Sequence, residues 1–179
     1  MRISLKWLVL VFIALLAYAP WASKASDSIL SDYASTIVGQ AVEVHCIYMT
    51  ENEGYTQPMS DGSFEYDIWL KKGVCRNIKN LLLHKPIYNY GAQSWALTTI
   101  IHESYHIKLL STDESLVECT AMRNIWGYIV KLDYTPRDNK RLYETAWIGH
   151  SYLPEEYTKG CKPPSGLLIE TGLEVIYEA

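Results

Sequence analysis

The chain has 179 residues, which suits one domain, and 49% of them are hydrophobic, enough for a real core. Its net charge is −4 at pH 7, an acidic balance that argues against nucleic acid and anionic membrane surfaces as partners. Fourteen Tyr and six Trp against two Phe favour a surface or cleft rich in amphipathic rings.

Residues 1–25 read as a secretory signal peptide. Arg2 and Lys6 form a positive start, Trp7 opens a thirteen-residue apolar run to Ala19, and Ser23 and Ala25 stand at −3 and −1 before Ser26. The run is shorter than the about 20 apolar residues of a spanning helix, with a retained N-terminal anchor as the other reading. Cleavage would remove Arg2, Lys6 and Lys24 and no acid, taking the net charge from −4 to −7. Residues 26–179 are then one exported domain with no stable membrane partner. Its four cysteines, Cys46, Cys75, Cys119 and Cys161, are an even count and read as two disulfides. Three pairings are open. Cys46–Cys75 and Cys119–Cys161 are preferred, one staple in each half.

Residues 26–35 are polar and read as a flexible lead-in. Residues 36–49 read as a strand, with Val42, Val44 and Cys46 alternating with Glu43 and an outward, solvated His45. Residues 50–62 form a loop ending in the Asp61-Gly62 turn signal. Residues 63–70 alternate most clearly: Phe64, Tyr66, Ile68 and Leu70 lie on one face, Glu65, Asp67 and Trp69 on the other. This strand is expected to pair with the first as a long hairpin and to offer an edge to an extended peptide. Cys75, Ile78, Leu81 and Leu82 have helical spacing, so residues 72–84 are a short helix ended by Lys85-Pro86.

Ser94 is a plausible cap for the next helix, which carries His102-Glu103-Ser104-Tyr105-His106. Two imidazoles four residues apart share a helix face and can share one metal ion, and the Glu between them can reach a water there. Zinc suits nitrogen and carboxylate ligands in a tetrahedron with one open position. Apolar residues flank the motif (Leu97, Ile100 and Ile101 before it, Ile107, Leu109 and Leu110 after), so it forms a polar notch in a buried helix. Ser111 or Thr112 can cap a following helix over residues 114 to about 132, whose apolar face is Leu116, Val117, Ala121, Ile125, Tyr128, Ile129 and Leu132. The two helices make a tight antiparallel hairpin. Residues 133–138 are a turn, residues 140–150 a helix with Leu142, Tyr143, Ala146 and Trp147 inward, and residues 167–177 a final strand or ordered tail. The fold class is α+β.

Two histidines leave zinc one protein ligand short. Asp113 reads as a cap. Glu118 is preferred as the third ligand, because in the hairpin its level faces the midpoint between the histidines; Glu114 is the alternative, since Glu114 followed one turn later by Glu118 resembles metallopeptidases with this motif in which an acid after the ligand Glu bonds a ligand His.

His-Glu-x-x-His followed by a Glu on a second helix resembles the gluzincin group of zinc metallopeptidases. More narrowly, His102-Glu-Ser-Tyr-His-x-Lys-Leu, Asp113-Glu-x-x-x-Glu-Cys-x-Ala121 and Leu153-Pro-x-x-Tyr-x-x-x-Cys161 are similar to uncharacterised secreted bacterial proteins over roughly residues 40 to 170. Those proteins usually carry Gly soon after the second His; Leu109-Leu110 stand there instead. The resemblance implies a small minimal-zincin-like domain, one Zn2+ and a peptidase-like site acting on a peptide or protein. Glu103 would be the general base. His150, Tyr152 and Tyr157 are candidate donors to the oxyanion. The rival expectation is a non-catalytic exported binding or structural domain with a stabilising metal, against which Glu103 argues.

Overall fold

The computed structural model describes residues 26–48 and 52–164. The signal peptide expected at residues 1–25 and the strand or tail expected at residues 167–177 lie outside the described residues. The first element is a helix, α1 (Ser28–Val38). Asp27 caps it, accepting from the Leu30 N–H at 3.3 Å, and Gly39 ends it in the left-handed region at φ 91°. Leu30, Ala34 and Ile37 make its buried stripe. The expected flexible lead-in is thus corrected: the stripe is short, and Ser28, Ser31 and Ser35 dilute it.

Three strands follow, β1 (Glu43–Ile47), β2 (Gly54–Pro58) and β3 (Phe64–Lys71), in the spatial order β1-β3-β2. β3 falls where its alternation predicts, with Phe64, Ile68 and Leu70 in the core. Its partners differ from the expectation. β1 runs parallel to β3, with Glu43 beside Asp67 and Ile47 beside Lys71. The antiparallel hairpin joins β3 to β2, a strand within the segment read as loop. Gly62, at φ 83°, makes the turn between them. β3 is therefore central and β2 is the outer strand beside the site. Alternation reports which face a residue takes, not which strand lies next to it.

His45 is also corrected. It is buried, stacked on Trp69 with ring centroids 4.3 Å apart, and its Nε2 lies 3.1 Å from an Asp67 carboxylate oxygen. Cross-strand neighbours shelter the outer face of the sheet there.

α2 (Lys72–Leu83) forms as its spacing predicts, burying Val74, Cys75, Ile78 and Leu81. The Cys46–Cys75 disulfide ties it to β1. Cys119 and Cys161 are free thiols, both buried, so the second expected disulfide is not formed.

α3 (Tyr90–Leu109) is the hub. It packs against α1, α2, β2, β3 and two later helices, α4 (Glu114–Ile129) and α5 (Pro136–His150). Buried on most sides, it shows no single apolar stripe. Asn89 caps it rather than Ser94, which is buried mid-helix and donates to the Leu142 carbonyl of α5 at 2.9 Å. α4 starts at an Asp113 cap and buries Val117, Ala121, Met122, Ile125 and Ile129; Leu116, expected inside, is half exposed. A 3-10 turn, Val130–Leu132, follows it. α5 begins four residues before its expected start, with Thr135 as cap and Pro136 in its first turn. A short helix, α6 (Glu155–Thr158), then crosses back over α4. Among the described residues no helix is long and apolar enough to cross a membrane.

Candidate metal centre

His102 and His106 lie one turn apart on α3, and their Nε2 atoms are 3.0 Å from each other. Glu114, in the first turn of α4, brings one carboxylate oxygen to 3.0 Å from His102 Nε2 and 3.4 Å from His106 Nε2. These three residues form a group able to hold a metal ion, their ligand atoms all lying within 4.8 Å of one another. The other nitrogen of each ring is already engaged. His102 Nδ1 donates to Glu118 at 2.8 Å, and His106 Nδ1 donates to the Ser111 carbonyl at 2.7 Å. With both Nδ1 atoms donating, both Nε2 atoms turn lone pairs toward the same point, and a shared cation, proton or metal, reconciles them.

The preferred third ligand, Glu118, therefore gives way to Glu114 at the point of convergence. The hairpin does bring Glu118 to the level of His102. It meets Nδ1, the ring nitrogen nearer the backbone, while Glu114 reaches the cavity side. Glu118 is 2% exposed and is held on its other oxygen by His150 Nδ1 at 2.9 Å.

Glu103 is buried between the histidines, and Thr56 of β2 donates to its carboxylate at 3.0 Å. His102, Glu103, His106 and Glu114 line one cavity of about 410 Å³, whose other walls include β2 and Tyr157. Gly54 lets β2 approach this closely. A Cβ there would stand 2.9 Å from Leu70 Cδ2 and 3.1 Å from Glu103 Cγ.

Burial opposes a charged His102, but hydrogen bonds to Glu114 and Glu118 outweigh it and push the imidazole up to about 10. Hydrogen bonds from His102 and His106 hold the Glu114 carboxyl down to about 2. Burial raises the Glu103 carboxyl above the usual range despite its two imidazole neighbours. Burial, then the negative charges of Glu114 and Glu103, raise the Tyr157 phenol and keep it a donor.

Of the oxyanion candidates, Tyr157 is on the cavity, its ring centroid 5.9 Å from that of His102. His150 lies behind the centre on Glu118, and Tyr152 is 74% exposed and off the cavity wall. Sequence reasoning missed Thr56, Gly54 and the Ser111 carbonyl. Their roles come from tertiary approach, and a backbone carbonyl leaves no mark in side-chain identity. A second, more open group, Glu43, His45 and Asp67, lies on the outer face of the sheet.

The chain matches no protein-family model, no curated protein and no solved structure.

Proposed function

We propose that this protein is an exported zinc-dependent peptidase. The observation that carries the reading is a buried carboxylate, Glu103, set between two histidines that converge with Glu114 on a walled cavity. The donor set fits zinc. Two imidazoles and a carboxylate favour it over calcium or magnesium, and the 3.0–3.4 Å between ligand atoms is close to the ~3.3 Å edge of a tetrahedron with ~2.0 Å bonds. Zinc held there would act as a Lewis acid that makes water nucleophilic near neutral pH.

The chain's own residues supply the rest. Glu103 accepts the proton of the attacking water and passes it to the leaving amine. Its burial, which favours the protonated form, suits that exchange. Tyr157 donates to the developing oxyanion. Glu118 and the Ser111 carbonyl hold the two histidines in the tautomer that leaves Nε2 bare. An extended peptide would lie along β2, the outer strand that lines the cavity. The Cys46–Cys75 disulfide is compatible with an extracytoplasmic setting.

The second reading is an exported binding or structural domain stabilised by its metal. A stabilising site needs ligands but has no use for Glu103 beside them. Glu103→Gln separates the two. The peptidase reading expects zinc to be retained and hydrolysis of an unstructured protein substrate to fall at least roughly 100-fold, the scale of a lost general base. Undiminished hydrolysis in that variant contradicts the mechanism.

A further inference from the structure

We propose that His150 is a positioning residue of the metal centre, acting through Glu118; the inference rests on the metal-centre reading above. Glu118 carries one imidazole on each carboxylate oxygen, His102 at 2.8 Å and His150 at 2.9 Å. Glu118 and His150 are 2% and 4% exposed and His102 8%, so solvent has little access to these bonds. His150 stands edge-on to Trp147, ring centroids 5.3 Å apart, which fixes its plane. Its Nε2 is buried with no hydrogen-bond partner among the described residues.

That last fact decides where the His150 proton sits. A buried N–H without an acceptor is rare and costly, so the proton belongs on Nδ1, where Glu118 takes it. Glu118 in turn only accepts when ionised, so His102 must also carry its proton on Nδ1. His102 Nε2 is thereby the nitrogen open to a shared cation, and it is aimed at Glu114 and His106. The row runs from His150 at the end of α5, through Glu118 on α4, to the ligand on α3. Without His150, one oxygen of a buried carboxylate loses its partner. The carboxylate is then free to turn, and its hold on His102 loosens.

The test is zinc affinity of the full chain, by competition with a chromophoric chelator, for wild type and His150→Phe, His150→Asn and His150→Gln. Asn places an amide N–H near the position of Nδ1; Gln places it near Nε2; Phe has none. Thermal midpoints control for folding. Phe and Gln are expected to weaken zinc binding roughly 10- to 100-fold and Asn to stay within about threefold of wild type, as for loss and retention of a partner that orients a ligand. If Phe fails to fold, the Asn and Gln pair decides. Wild-type affinity in the Phe variant, or equal losses in Asn and Gln, overturns the inference and leaves the metal centre standing. A wild-type chain that binds no zinc overturns both.

Discussion

Gly54 sets how closely β2 can lie against the motif helix. A methyl group there meets Leu70, which has no exposed surface to retreat into, and presses on the stem of Glu103. Gly54→Ala is expected to destabilise the fold by about 1–3 kcal/mol, the range for overfilling a packed site. Urea unfolding would show this as a lower midpoint at unchanged slope. His102, Glu103 and His106 were legible in the sequence because their geometry is local, set by helical spacing. The choice between Glu114 and Glu118 was not. It turns on which nitrogen of one imidazole each acid meets, a matter of an ångström or two of hairpin register. Thr56 and His150 were harder still. One sat in a segment read as loop, and the other was a candidate for the wrong side of the site.

Leu110 makes the turn between α3 and α4 in the left-handed region, at φ 50°. That conformation disfavours a residue with a Cβ by roughly 1–2 kcal/mol, and the Leu side chain, 58% exposed, recovers little by burial. Glycine loses about 0.5–1 kcal/mol more chain entropy on folding, which leaves a net gain. Leu110→Gly is therefore expected to stabilise the fold by up to about 1.5 kcal/mol, read as a higher unfolding midpoint. A lower midpoint would mean that Leu110 holds contacts that outweigh its backbone. Helices and strands with strong local signals, α2, α4 and β3, appeared near their expected positions. The misses share a cause. α1 has only three buried apolar residues, and β2 alternates over five residues with a Pro at its end. α3 starts five residues before the position a Ser94 cap predicts, because Ser94, a good cap by type, is used inside the helix to bond α5.

The parallel pairing of β1 with β3 brings together segments whose periodicity says nothing of each other, so strand order was out of reach of the sequence. The Cys46–Cys75 staple is the preferred one of three pairings open to the sequence, and it joins β1 to α2. Closing 29 residues, it should contribute about 2–4 kcal/mol by restricting the unfolded chain. The Cys46→Ala/Cys75→Ala double variant is expected to lose that amount in chemical denaturation. A change below about 0.5 kcal/mol would show that the sheet and α3 hold this half without it. The whole molecule serves to bring three helices and one strand onto a single point, where α3 gives two imidazoles and α4 a carboxylate. The most direct measurement is zinc content of the purified chain by metal mass spectrometry, beside His102→Ala, Glu114→Ala and Glu103→Gln. The account predicts one zinc per chain, lost in the first two variants and kept in the third. A wild-type chain that takes up no zinc when it is offered, or a Glu114→Ala variant that holds it as wild type does, would contradict it.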